Sequence, residues 1–104
     1  MNSHVDPSRW VKLSFPEQMG NIGSEVGRAI LAHSRGDKAA LNTAIIRALE
    51  LFDITQPARF SARREVRRAR ESFLTLFYDN YSESDARKLD AYFTSFSIFA
   101  RANR

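Results

Sequence analysis

The chain has 104 residues, of which 43% are hydrophobic and 27% charged, with a net charge of +4. This length predicts one domain with a single core, and the apolar fraction is too high for an intrinsically disordered protein. Disulfides and thiolate chemistry are excluded because there is no cysteine, and the distance in sequence between His4 and His33 argues against a zinc site. No apolar run is long enough to span a membrane, and the N-terminus has no signal-peptide core, so we expect a cytoplasmic protein.

The N-terminal residues 1–13 are predicted to form a short arm. Residues 1–9 contain no apolar repeat and read as a loose segment, and Pro7 disfavours helix at the residue before it. We expect Trp10, Val11 and Leu13 to fold the arm back onto the rest of the protein. The chain is therefore divided into an arm, 1–13, and a helical domain, 14–104.

A first long helix is predicted over residues 15–35. Ser14 and Glu17 form the S-x-x-E pattern of a capping box, and Pro16 is tolerated in a first turn. Gly36 is well suited to the C-terminal cap. The apolar face follows the alternating three- and four-residue spacing of a helix, and its members are Phe15, Met19, Ile22, Val26 and Ile30, with His33 at the end of the line.

Three more helices follow with short connections. The second begins after Asp37, a favourable N-cap, and ends near Asp53. The third is predicted from about 61 to 80 with Ser61 as its cap, and the fourth from about 84 to 102. Four amphipathic helices with short connections predict an all-α fold, namely an antiparallel four-helix bundle preceded by the arm. The phenylalanines of the last two helices are expected to pack in its core.

Three glycines, Gly20, Gly23 and Gly27, interrupt the pattern of the first predicted helix. Each costs about 1 kcal/mol relative to alanine. A helix face without side-chain bulk permits close approach by a neighbouring helix, by another chain of an oligomer, or by a nucleic-acid backbone. The same helix carries a line of polar and small residues that is either a solvated face or a surface for a protein partner: Gln18, Asn21, Gly23, Ser24, Glu25 and Arg28.

The strongest functional feature is a cluster of arginines in the third predicted helix. Six arginines fall within twelve residues, and only Glu65 lies among them as a counter-charge. Arginine stays charged and binds phosphate through two parallel hydrogen bonds. The cluster is interpreted as a site for a nucleic-acid backbone, as a site for an acidic protein surface, or as a solvated face paired with Glu65 and Glu71. Its members are Arg59, Arg63, Arg64, Arg67, Arg68 and Arg70, which Arg101 and Arg104 join if the helices are antiparallel.

The sequence offers one candidate catalytic arrangement. Arg28 and His33 form an R-x-x-x-x-H motif that resembles the active motif of HEPN-type ribonucleases, which are small helical domains. Residues five apart lie about 140° apart around a helix, so a partner chain would have to complete such a site. The sequence contains no nucleophilic triad or phosphate loop. We therefore expect a protein that is not an enzyme and that needs no metal or cofactor.

The two ends of the chain resemble a family of small bacterial helical proteins without an assigned activity. The opening motif is W-x-K-x-S-x-x-E-Q-x-x-N-I-G-S-E-V-x-R, from Trp10 to Arg28. The closing stretch is Tyr92-Phe93-x-x-Phe96 followed by Ala100-Arg101-x-Asn103-Arg104. The resemblance implies an all-helical fold.

In size, fold class and basicity the chain is also similar to accessory helper proteins of diversity-generating retroelements. Those elements combine a reverse transcriptase, a structured RNA and a small basic helical bundle. The resemblance implies a non-catalytic accessory or scaffold protein that binds nucleic acid, with RNA favoured, and a reverse transcriptase. A bundle that binds only an acidic protein partner is the alternative, and a homo-oligomer remains open.

Overall fold

The computed structural model describes residues 6–103, so His4 and Arg104 lie outside the described residues. Within this range the chain forms five α-helices and no strand, and the predicted all-helical fold is confirmed. The helices are α1 (Pro7–Trp10), α2 (Phe15–Arg35), α3 (Lys38–Ile54), α4 (Phe60–Tyr78) and α5 (Glu83–Ala102). None of these helices has the length and apolarity needed to cross a bilayer.

The caps predicted for the first two long helices are confirmed. At the start of α2, Ser14 Oγ accepts a hydrogen bond from the Glu17 amide at 3.2 Å, and Glu17 Oε1 accepts one from the Ser14 amide at 2.8 Å. The helix ends at Gly36, whose φ of 69° is left-handed and therefore favours glycine. Asp37 then caps α3 by accepting from the Ala40 amide at 3.0 Å.

The start of α4 differs from the prediction. Ser61 was expected to cap the helix but lies inside it, because the helix begins at Phe60. Arg59 occupies the N-cap position and its side chain makes no capping hydrogen bond. The last helix is capped in the usual way, since Ser82 Oγ accepts from the Asp85 amide at 3.1 Å.

The described part of the N-terminal arm contains a short helix that the sequence did not predict. It is not loose throughout residues 1–9, because α1 begins at Pro7 and brings Trp10 into the core, where it is 1% exposed. The Trp10 indole Nε1 donates to Thr55 Oγ1 at 3.0 Å, which ties the arm to the end of α3. Leu13 packs against the same core, whereas Val11 is 69% exposed and the prediction that it folds inward is wrong.

Helix α2 lies at the centre of the fold, with α3 and α5 packed closely on either side. The glycine row permits the approach of α5: a Cβ at Gly20 would lie 2.7 Å from Ser97 Oγ, and one at Gly23 would lie 2.6 Å from Phe93 Cβ. Because residue numbers rise along α2 as they fall along α5, the two helices run antiparallel. Of the three alternatives left open by the sequence, the structure uses close packing within the chain at these two positions.

Helix α4 is held by large side chains instead of close backbone approach. Its buried Phe73 lies 5.9 Å, ring to ring, from Phe52 of α3, and Phe52 lies 6.2 Å from Phe93 of α5. The core role predicted for the aromatic residues is confirmed at these positions. Because α4 stands off from its neighbours, a groove is left between α4 and α5.

Candidate nucleic-acid interface

The outer face of α4 carries most of the arginine cluster. The opposite face packs into the core through Val66, Ala69, Phe73 and Leu76, and this fixes the rotation of the helix. The intervening arginines are consequently turned toward solvent. We call the exposed set the arginine strip, and it consists of Arg59, Arg63, Arg64, Arg67 and Arg68.

Among the described residues, no ion pair neutralises the charges of the arginine strip. Across residues 6–103, the ion pairs with nitrogen–oxygen distances of 4.0 Å or less are Arg28–Glu25 and Arg70–Asp53, and neither involves the strip. The interpretation of the cluster as a face paired with its own acidic neighbours therefore does not describe these five residues.

Glu65 accepts a hydrogen bond from α5 and forms no ion pair with the strip among the described residues. The Tyr92 hydroxyl donates a hydrogen bond to Glu65 Oε2 at 2.8 Å. Burial of Tyr92, together with this carboxylate, raises the pKa of the phenol far above its ordinary value. The only acid within the arginine run is thus used to join α4 to α5.

Two of the predicted arginines differ from the strip. Arg70 Nε lies 3.6 Å from Asp53 Oδ1 of α3, so its charge is shared with an acid of the same chain. Arg101 is exposed near the end of α5. Since Glu65 lies opposite Tyr92 and the helices are joined at residues 79–82, Arg101 lies toward the end of the fold where α4 begins. Arg104 is outside the described residues.

A groove of about 1010 Å³ runs beside the strip, between α4 and α5. Arg64 and Arg68 line its α4 side and Lys88 lines its α5 side. The carboxylates of Glu71 and Asp85 also reach the groove. The groove therefore has mixed charge, and the concentrated positive charge lies on the outer face of α4.

Phe60 is a member of this surface that the sequence reasoning missed. Its side chain is 66% exposed at the first turn of α4. The Arg63 guanidinium carbon lies 5.6 Å from the centre of its ring. The signal available in the sequence was an aromatic residue immediately after Arg59, at helical spacing from the arginines that follow.

The second predicted surface, on α2, is only partly exposed. Gln18 is buried and its Nε2 donates to the Trp10 carbonyl at 2.9 Å, while Gly23 is covered by Phe93 of α5. These two residues therefore belong to the packing of the fold. Asn21 and Ser24 are exposed, and a role for them in binding a partner stays a prediction.

The remaining two residues of that surface, Glu25 and Arg28, form an ion pair at 2.9 Å and line a cleft of about 420 Å³ between α2 and α3. Arg35 and Arg47 line the same cleft and were not recognised from the sequence. They lie on different helices, so no local spacing connects them. Within the described chain, Glu25 Oε1 and Arg47 Nε are buried without hydrogen-bond partners.

Arg28 and His33 do not face a common site. Arg28 lies on the α3 side, in the cleft with Glu25. The His33 ring stacks on Tyr81 with ring centres 3.5 Å apart and lies 6.2 Å from Phe77, on the α4 side. The two side chains diverge around α2, as their spacing predicts.

Comparison with known proteins found no matching family model, no similar curated protein and no similar solved structure. The resemblance of the terminal motifs to a bacterial family stays a prediction.

Proposed function

We propose that this protein binds a nucleic-acid backbone, with RNA favoured, through the arginine strip. One observation carries the proposal: five neighbouring arginines, four on α4 and one at its N-cap, are exposed without a carboxylate within ion-pair distance among the described residues. Phosphate is the anion that a guanidinium binds best in a two-pronged geometry. Such contacts supply most of the affinity of non-specific nucleic-acid binding.

The position of the arginine strip favours the binding of an anionic ligand. From Arg59 to Arg68 the helix rises about 14 Å, enough for several phosphates to be held side by side. The run lies at the helix N-terminus, where the positive end of the helix dipole adds to the field. Like charges gathered here are unfavourable for the isolated helix, and a bound polyanion would relieve that cost.

The proposal extends to a non-catalytic accessory role beside a nucleic-acid enzyme such as a reverse transcriptase. It treats α2 to α5 as an antiparallel four-helix bundle, in which Arg101 adds to the charge at the start of α4. The exposed residues Asn21, Ser24 and Arg28 would then be available to the protein partner.

Salt dependence tests the proposal. If four to six phosphates are engaged, the logarithm of the RNA association constant should fall with the logarithm of salt concentration, with a slope of about −3 to −4. Fluorescence anisotropy with a labelled oligoribonucleotide measures this slope. Absence of RNA binding at low salt would overturn the proposal and leave an acidic protein partner as the ligand of the strip.

Charge-matched variants locate the site. The double variant Arg64→Gln with Arg68→Gln should bind more weakly and reduce the magnitude of the slope by about 1.4, since each lost phosphate contact contributes about 0.7. Arg35→Gln with Arg87→Gln removes the same charge from exposed positions at the opposite end of the fold. Equal losses in both variants would show that net charge, and not the strip, determines binding.

The ribonuclease alternative is tested in the same samples. Because Arg28 and His33 point to different sides of α2, we expect the RNA to remain intact after incubation. Cleavage by the wild-type protein that is lost in His33→Ala would establish the alternative.

A further inference from the structure

Phe60 is an exposed aromatic residue whose position the packing of the fold does not explain. Its side chain is 66% exposed, and its described ring contact is with the Arg63 guanidinium. An exposed phenylalanine loses the free energy that burial of its ring would contribute. A single exposed apolar residue needs no explanation by itself. The arginines that surround this one are the feature that sets it apart.

Phe60 shares the outer face of α4 with the arginine strip. Arg63 and Arg64 lie one helical turn after it and Arg67 lies two turns after it, on the same side of the helix. The flat ring is therefore placed among guanidinium groups that can hold phosphates on either side. Helical spacing puts Arg63 and Arg64 about 5–6 Å from Phe60, measured between Cβ atoms.

We propose that Phe60 stacks against an unpaired nucleobase, so that the strip selects single-stranded nucleic acid over duplex. This inference rests on the proposed function, because the strip must first hold the phosphates. Proteins that bind single strands combine a basic surface with aromatic side chains on which bases stack, and the stacking tolerates any sequence. In a duplex the base faces are covered by their neighbours, so a side chain on a helix surface cannot reach them without unstacking.

The test compares binding to an unstructured oligonucleotide and to a duplex of the same sequence, each as RNA and as DNA. Phe60→Ala should weaken single-strand binding about tenfold and leave duplex binding unchanged. Phe60→Tyr retains the ring and should restore single-strand affinity. Tyr78→Ala is the matched control, because Tyr78 is 65% exposed on the same helix but lies beyond the arginine run, and its removal should have no effect. Circular dichroism checks that each variant folds.

A second readout reports stacking directly. An oligonucleotide that contains 2-aminopurine should lose fluorescence when its base stacks on Phe60, and Phe60→Ala should abolish that quenching. Equal single-strand and duplex affinity, or a Phe60→Ala variant that binds single strands like the wild type, would overturn this inference while leaving the arginine strip as a phosphate site. Failure of the wild type to bind either form would overturn the proposed function as well.

Discussion

The glycines of α2 show how one residue type has different roles at neighbouring positions. At Gly23 the missing side chain makes room for Phe93, whose Cβ would lie 2.6 Å from an added methyl group. At Gly27 the nearest atom, Asp90 Oδ1, would be 3.7 Å away, which is an ordinary contact. Their spacing in the sequence does not distinguish Gly23 from Gly27, but of these two only Gly23 lies where a side chain would block the close packing of α5.

Alanine substitutions should therefore have opposite effects at the two positions. Gly23→Ala is expected to destabilise the protein by about 1–2 kcal/mol, because the overlap involves Phe93 Cβ, which a rotamer change does not move. Gly27→Ala should stabilise it by up to about 1 kcal/mol, since alanine favours helix and meets no obstacle. The free energy of unfolding in urea measures both, and a stabilising Gly23→Ala would contradict the close packing of α2 on α5.

At the scale of the helices, α4 depends on side chains that reach across to its neighbours. The Tyr92–Glu65 hydrogen bond joins it to α5, and the Arg70–Asp53 ion pair joins it to α3. The ion pair is long and largely exposed, and contributes little. The contact with Tyr92 is part-buried, and it engages the one carboxylate that lies within the arginine run.

This contact predicts a pH effect. The folded protein raises the pKa of Tyr92 by burial and by the neighbouring Glu65 carboxylate, whereas an unfolded tyrosine ionises near pH 10. The stabilisation is therefore present below about pH 10 and is lost as the pH rises further, because the unfolded chain releases the proton and the folded protein retains it. In Tyr92→Phe the free energy of unfolding should fall less steeply above pH 10 than in the wild type. Burial also raises the pKa of Tyr81, but Tyr81 is present in both proteins, so its contribution to the pH dependence is the same in each. If the free energy of unfolding of the two proteins fell equally steeply above pH 10, the prediction would be contradicted.

At the scale of the whole molecule, the described part of the N-terminal arm contributes Trp10 to the core. Trp10 bridges α1, the start of α2 and the end of α3: its indole donates to Thr55, and its carbonyl accepts from Gln18. Thr55 Oγ1 in turn donates to the Leu51 carbonyl at 2.7 Å. The indole hydrogen bond satisfies a buried acceptor, so that removal of the tryptophan side chain would leave a cavity and would deprive Thr55 Oγ1 of its donor.

Trp10→Ala should cost about 3–5 kcal/mol of the free energy of unfolding, a large share of the stability of a domain this size. Val11→Ala is the control at the adjacent, exposed position, and should change stability by less than about 0.5 kcal/mol. Thermal unfolding followed by circular dichroism measures both variants. A small loss in Trp10→Ala would contradict the tertiary role of Trp10 in the core.

The helices were predictable because local groups specify them. Ser14 with Glu17, Gly36 and Asp37 make hydrogen bonds or adopt backbone angles that involve residues only a few positions away. The cap at Ser61 was predicted wrongly, because α4 begins at Phe60 with Arg59 at the N-cap position and no side-chain capping hydrogen bond. The exposure of Val11 and the burial of Gln18 could not be predicted from spacing, since burial depends on which residues the other helices bring near.

The sequence by itself determined where α2 and α3 begin and end, and which faces of the long helices are apolar, because both follow from hydrogen bonds and spacing within one helix. Only the tertiary structure decided that Gly23 meets Phe93, that Glu65 turns to Tyr92, and that Phe60 stays outside among free arginines. Each of these depends on how two helices are rotated and offset against one another. That arrangement is set by the summed fit of many side chains, so no short stretch of sequence contains it.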